Sequence, residues 1–235
     1  MPPAPSSGWK RATVALLLFG ISFGYVEAAV VAYLRALGEP ERERFYPGRR
    51  PDDLFPLLSL EQLEAGGPEL LQVLKTECVR EAATLVMLGA VAAAVGSGGA
   101  PWLAAFMIAF GVWDIAFYAF LRLLLHWPES LLTWDLLFLI PVPWAGPVLA
   151  PVLVSASMIA AGFVILGRSW AGRPVRFGGL HWLGVFAGAL VLIVAGIHAG
   201  SQGQGGRSRR QDRLERQGRH LPALPGADPG CGPCP

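Results

Sequence analysis

Residues 101–125 read PWLAAFMIAFGVWDIAFYAFLRLLL, an apolar run interrupted only by the charges of Asp114 and Arg122. As a helix rising 1.5 Å per residue it would be about 38 Å long, enough to cross the roughly 30 Å of hydrocarbon in a bilayer. Four further apolar runs lie at 12–37, 79–95, 148–166 and 180–199. A domain of 235 residues has no soluble core able to hide five such runs. The chain therefore reads as an all-α integral membrane protein, a bundle of five spanning helices plus one broken or re-entrant segment.

Composition agrees: 53% of residues are hydrophobic, 15% are charged, and mean hydropathy is +0.47. A net charge of +2, with arginines scattered rather than grooved among aromatics, excludes a nucleic-acid partner. Arginine dominates the basic residues and asparagine is absent, a bias of GC-rich, bacterial genes. The expected setting is the inner (plasma) membrane, with the lipid bilayer as the principal partner. The expected partition is a polar segment at 1–11, a transmembrane domain at 12–199 and a disordered tail at 200–235.

Two motifs invite misreading. Lys10 and Arg11 ahead of an apolar run resemble a signal peptide, but the run is longer than the 7–15 residues of such an h-region, so a retained first helix is expected. Cys231 and Cys234 form Cys-Gly-Pro-Cys, the spacing of thioredoxin-type redox sites. Pro222, Pro225, Pro229 and Pro235 surround it, and without a helix N-terminus to lower a thiol pKa two free thiols are expected.

In the first run, Gly20, Gly24 and Ala28 recur at steps of four, a small-residue stripe that lets a second helix approach closely. Glu27 sits on the edge of this stripe and should face protein. The connection at 38–67 is polar and carries Pro40, Pro47, Pro51 and Pro56. Ser59 and Gln62 have capping-box spacing, and Gly66 and Gly67 supply a stop, so a short interfacial helix over Leu60–Ala65 is expected. Leu54, Phe55, Leu57 and Leu58 before it suit the interface. Pro68 suits a first helical turn for a helix reaching about Val95.

Charged residues in this second long helix share one face: Glu77, Arg80, Glu81 and Thr84 fall at i, i+3, i+4 and i+7. In the third, Asp114, Tyr118 and Arg122 recur at steps of four, with His126 beyond. The turn at 96–100 is short, making these two helices antiparallel neighbours. A brief apolar run, 131–140, then precedes Pro141, Pro143, Pro147 and Pro151. Ten helical residues rise only about 15 Å, and dense prolines break the hydrogen-bond ladder. Residues 131–147, with Asp135 inside, therefore read as a broken or re-entrant helix; a kinked sixth span is the alternative. The pattern Trp-Asp-x-x-Phe occurs at 113–117 and again at 134–138, too short a match to establish a repeat.

Depth brings the charges together. From the 38–67 side, Glu27 is about ten residues in, Glu77 and Glu81 about nine and thirteen, and Asp114 about eleven, or roughly 14–20 Å at 1.5 Å per residue. Arg80, Arg122 and Asp135 belong to the same half. An intramembrane carboxylate costs about 2.5–3.5 kcal/mol at mid-membrane, and several at one depth must be protonated, paired with arginine or bridged by a cation. Three readings stay open. Glu77–Arg80 and Asp114–Arg122 serve only as internal ion pairs of a structural or assembly protein; the cavity handles a small solute, ion or proton; or the carboxylates hold a metal in a membrane-embedded enzyme.

The enzyme reading is the weakest. No Glu-x-x-His pair of the di-iron bundles, phosphate loop or nucleophile elbow is present, and no cofactor is expected. Trp102, Trp127, Trp170 and Trp182 near helix ends fit interfacial anchors. Arginine placement favours the 38–67 connection and the tail in the cytoplasm. A transporter of five or six spans without an inverted repeat would need a second copy, so a homo-oligomer is expected under that reading.

Overall fold

A computed structural model describes residues 6–48, 58, 60–139 and 144–173, with isolated positions 175, 178, 179, 183, 184, 187, 188, 190, 191 and 194. Its elements are α1 (Ser6–Phe45), α2 (Leu60–Ala65), α3 (Pro68–Val95), α4 (Gly99–Leu125), β1 (Trp134–Phe138), β2 (Trp144–Pro147) and α5 (Leu149–Trp170). The chain is mostly helical, and α1, α3, α4 and α5 are each long and apolar enough to cross a membrane. These four suggest a membrane-embedded protein. The expected fifth span at 180–199 lies, apart from scattered positions, outside the described residues, as do the tail, its cysteine pair and the interfacial stretch 54–57.

Helix α4 is the hub, packing against α1, α5 and α3. Lipid tails are as apolar as leucine, so membrane helices gain little from hydrophobicity between them and associate through close van der Waals approach. Glycine supplies that approach on both main seams. On α1, a Cβ added at Gly24 would stand 2.8 Å from the Ala116 Cβ and 2.9 Å from the Trp113 carbonyl oxygen. On the other seam, a Cβ at Gly111 would lie 2.6 Å from the Ser155 carbonyl, and one at Gly162 2.8 Å from that of Ala104. The core between the seams includes Leu16, Leu88, Ile108 and Leu166. Trp9 and Trp170 bring the start of α1 against the end of α5, with ring centroids 6.3 Å apart. Val14, Leu18, Val79, Val86 and Val164 point outward, as lipid-facing residues do.

The end of α1 differs from expectation. The connection was expected to begin at Gly38, yet α1 continues to Phe45 through Pro40. The proline forfeits one backbone bond, and the polar last turns add local pairs, Arg42 with Glu39 at 3.9 Å and Arg44 with Glu41 at 3.4 Å. Tyr46 then donates to Gln62 Oε1 at 3.0 Å, tying the end of α1 to α2. Helix α2 spans the six expected residues, although Ser59, the expected cap, is outside the described residues.

The larger correction is at 131–147. The described residues of this segment, 131–139 and 144–147, form neither a broken helix nor a sixth helical span: β1 and β2 run antiparallel, pairing Trp134 with Pro147, Asp135 with Gly146, Leu136 with Ala145 and Phe138 with Trp144. A short apolar run bounded by turn residues suits a strand as well as a helix, and the prolines settle the competition by withholding helix donors. Pro147 sits opposite Trp134 at the hairpin's open end, where a missing N–H costs least. Strands of this length extend only about 17 Å, too short to cross. Backbone bonds from Val148 to Thr133 (3.0 Å) and Leu149 to Leu131 (2.7 Å) fasten the hairpin to the start of α5.

Candidate functional site

The ends of α1, α3 and α4 that meet the connection, together with α2 and β1, enclose a cavity of about 590 Å³. Glu27 from α1, Glu77, Arg80 and Glu81 from α3, Asp114 and Tyr118 from α4, and Asp135 from β1 all line it. The opposite half of the bundle is the apolar core described above.

Arg80 is the centre of the polar network. Its guanidinium pairs with Glu27 across the α1–α3 gap and with Glu77 one turn back, the Nε contact to Glu77 being 2.8 Å. Thr84, one turn on, donates to the second oxygen of Glu27 at 3.0 Å. The i, i+3, i+4, i+7 spacing on α3 thus places an arginine, two acids and a hydroxyl on one face, and that face meets Glu27 because Gly24 holds α1 close to α4.

Glu81 reaches the hairpin, where both its oxygens accept from the Leu139 N–H at 3.1 Å. Leu139 lies just past the end of β1, beyond the ladder, and the carboxylate supplies the acceptor that its backbone would otherwise lack at depth. Asp135 accepts from the Tyr118 hydroxyl at 3.0 Å and from the Leu136 N–H at 2.8 Å. Asp114 accepts from the Ser155 hydroxyl of α5 at 2.8 Å. No basic side chain lies within ion-pair distance of Asp114 among the described residues.

Arg122 does not join the cavity, and the expected Asp114–Arg122 pair does not form. Arg122 is exposed and donates instead to the His126 carbonyl at the end of α4. The reason is geometric. A step of four residues turns about 400°, so each step drifts about 40°, and two steps carry position 122 about 80° off the face of Asp114. Near the C-terminus a basic side chain also finds unsatisfied carbonyls to bond.

Three residues around the site escaped the sequence reading. Ser155 was hidden in an apolar run, where a lone hydroxyl is an inconspicuous signal. Arg35 and Arg42 were counted only as charges setting orientation, yet both line the cavity. Glu27, Val31 and Arg35 all line it from α1. The Arg35 guanidinium lies over the Trp127 ring, 4.1 Å from its centroid.

Among the described residues, no three His, Cys, Asp or Glu side chains converge as a metal site would require. No protein-family model, curated protein or solved structure matches this chain.

Proposed function

We propose that the chain is a multi-pass inner-membrane protein that handles a small solute, ion or proton through this cavity. The observation carrying the proposal is that five carboxylates from three helices and a hairpin strand face one chamber in one half of the bundle. Charge at membrane depth is costly, and packing alone would be served by leucine. In this reading Glu81 and Asp114, held by neutral donors, exchange protons or cargo, while Arg80 fixes Glu27 and Glu77. A homo-oligomer fits this reading, since the sequence shows no convincing inverted repeat.

The clasp of Arg80 on both Glu27 and Glu77 favours a second reading, in which the charges only lock the helices of an assembly factor. Flux measurements in proteoliposomes separate the two. Glu81→Gln and Asp114→Asn should each lower proton-coupled flux at least about tenfold while the protein stays folded, a loss in the range of removing a proton-transfer group. If neither wild type nor variants carry flux, and both substitutions only lower the melting temperature, the charges are structural.

A further inference from the structure

We propose that the cavity binds an amphipathic organic monocation, a protonated amine or an onium ion, with its charge at Asp114 and its apolar body against Phe117, Leu136 and Phe138. The inference rests on the reading of the cavity as a solute site and names the class of solute.

Charge comes first. The five carboxylates share the cavity with three guanidiniums, Arg35, Arg42 and Arg80, so the chamber carries an excess of negative groups when its acids are ionised. Arg80 is already committed to two acids. Asp114 is 7% exposed, its Oδ2 is held by Ser155, and its Oδ1 has no donor among the described residues. A carboxylate so buried calls for a proton or a cation.

The geometry then selects the kind of cation. A divalent metal ion takes about six to eight oxygens at close range, or six with strict octahedral order, and the acids here are spread around the chamber rather than converging. Its volume of about 590 Å³ falls within the roughly 300–1,000 Å³ of small-molecule sites. The walls near Asp114 are aromatic and aliphatic: Phe117 and Tyr118 on α4, Leu136 and Phe138 on β1. Aromatic faces attract cations through the ring quadrupole, and they do so best for bulky, weakly hydrated ones. A chamber with excess acid and apolar walls therefore suits a lipophilic cation better than a hydrated ion.

The test uses the full chain in nanodiscs and two probes of matched shape and opposite charge, radiolabelled tetraphenylphosphonium and tetraphenylborate, with protein-free nanodiscs as background. Wild type should bind the cation saturably, near one per chain, and show no saturable binding of the anion. Asp114→Asn should weaken cation binding at least about tenfold, Phe138→Leu about threefold, and Asp114→Glu, which keeps the charge, less than threefold. Absence of saturable cation binding, or equal binding of the two probes, overturns the proposal on wild type alone, whatever the variants do. Unchanged binding by folded Asp114→Asn overturns the assignment of the charge. Flux without cation binding leaves the solute-handling reading standing and removes this one; cation binding without flux does the reverse.

Discussion

The two halves of the bundle solve the same problem by opposite means. In the dry half, α1, α4 and α5 meet through glycine. Gly111 and Gly162 leave no room for a methyl group, and dispersion does what hydrophobicity cannot do between helices in lipid. In the charged half, α1 and α3 stand apart across a chamber, and Arg80 bridges them to Glu27. Close approach leaves no volume for a ligand, whereas a polar bridge leaves a space beside it. A small membrane protein can thus be rigid at one end and hollow at the other.

The contrast breaks first at Arg80. Replacing it with leucine strands Glu27 and Glu77 without their cation, and removing one partner of a buried pair costs about 3–5 kcal/mol. Arg80 keeps 26% of its side-chain surface exposed, so the lower end, about 3 kcal/mol, is expected. Denaturant titration in micelles measures it. Adding Glu27→Gln and Glu77→Gln should recover most of the loss, because the penalty lies in the orphaned carboxylates. A single Arg80→Leu as stable as wild type would mean that the bridge is not what joins α1 to α3.

The dry half should break next, at Gly24→Ala. The added methyl meets the Trp113 carbonyl and the Ala116 Cβ, both on helix α4, and overpacking of this kind costs about 1–3 kcal/mol. Gly38→Ala on the same helix meets nothing within 4 Å and serves as the control. Equal melting temperatures for the two variants would show that the α1–α4 seam is looser than the glycine geometry implies.

Where the sequence was legible, a strong local rule acted without competition. Pro68 at a first turn and the glycines at 66 and 67 bound α2 and α3 to the residue. The face shared by Glu77, Arg80, Glu81 and Thr84 needed only helical periodicity, and all four line the cavity. The hairpin was illegible because a leucine-rich strand and a half-length helix look alike when pairing is unknown. Its acceptor at Leu139 comes from Glu81, fifty-eight residues earlier in the chain. The end of α1 was misread for a related reason: Pro40 signals a break locally, and the pairs that carry the helix past it are weak individually. Ser155 became visible only when α5 placed it against Asp114.

The smallest expected effect sharpens the boundary of the charged half. Arg122 shares a step-of-four pattern with Asp114 and Tyr118, yet it is exposed and bonds the His126 carbonyl at the helix end. Arg122→Gln keeps a donor for that carbonyl and removes a charge that faces away from the chamber. Surface changes of this kind stay within about 0.5 kcal/mol, so thermal stability should be unchanged within that margin. Flux and tetraphenylphosphonium binding should also match wild type, in contrast to Asp114→Asn. If Arg122→Gln instead lowered flux as strongly as Asp114→Asn, the two residues would be paired during the working cycle. The cavity would then have to include the last turn of α4, and the half that handles charge would extend beyond the Arg80 network to the membrane surface.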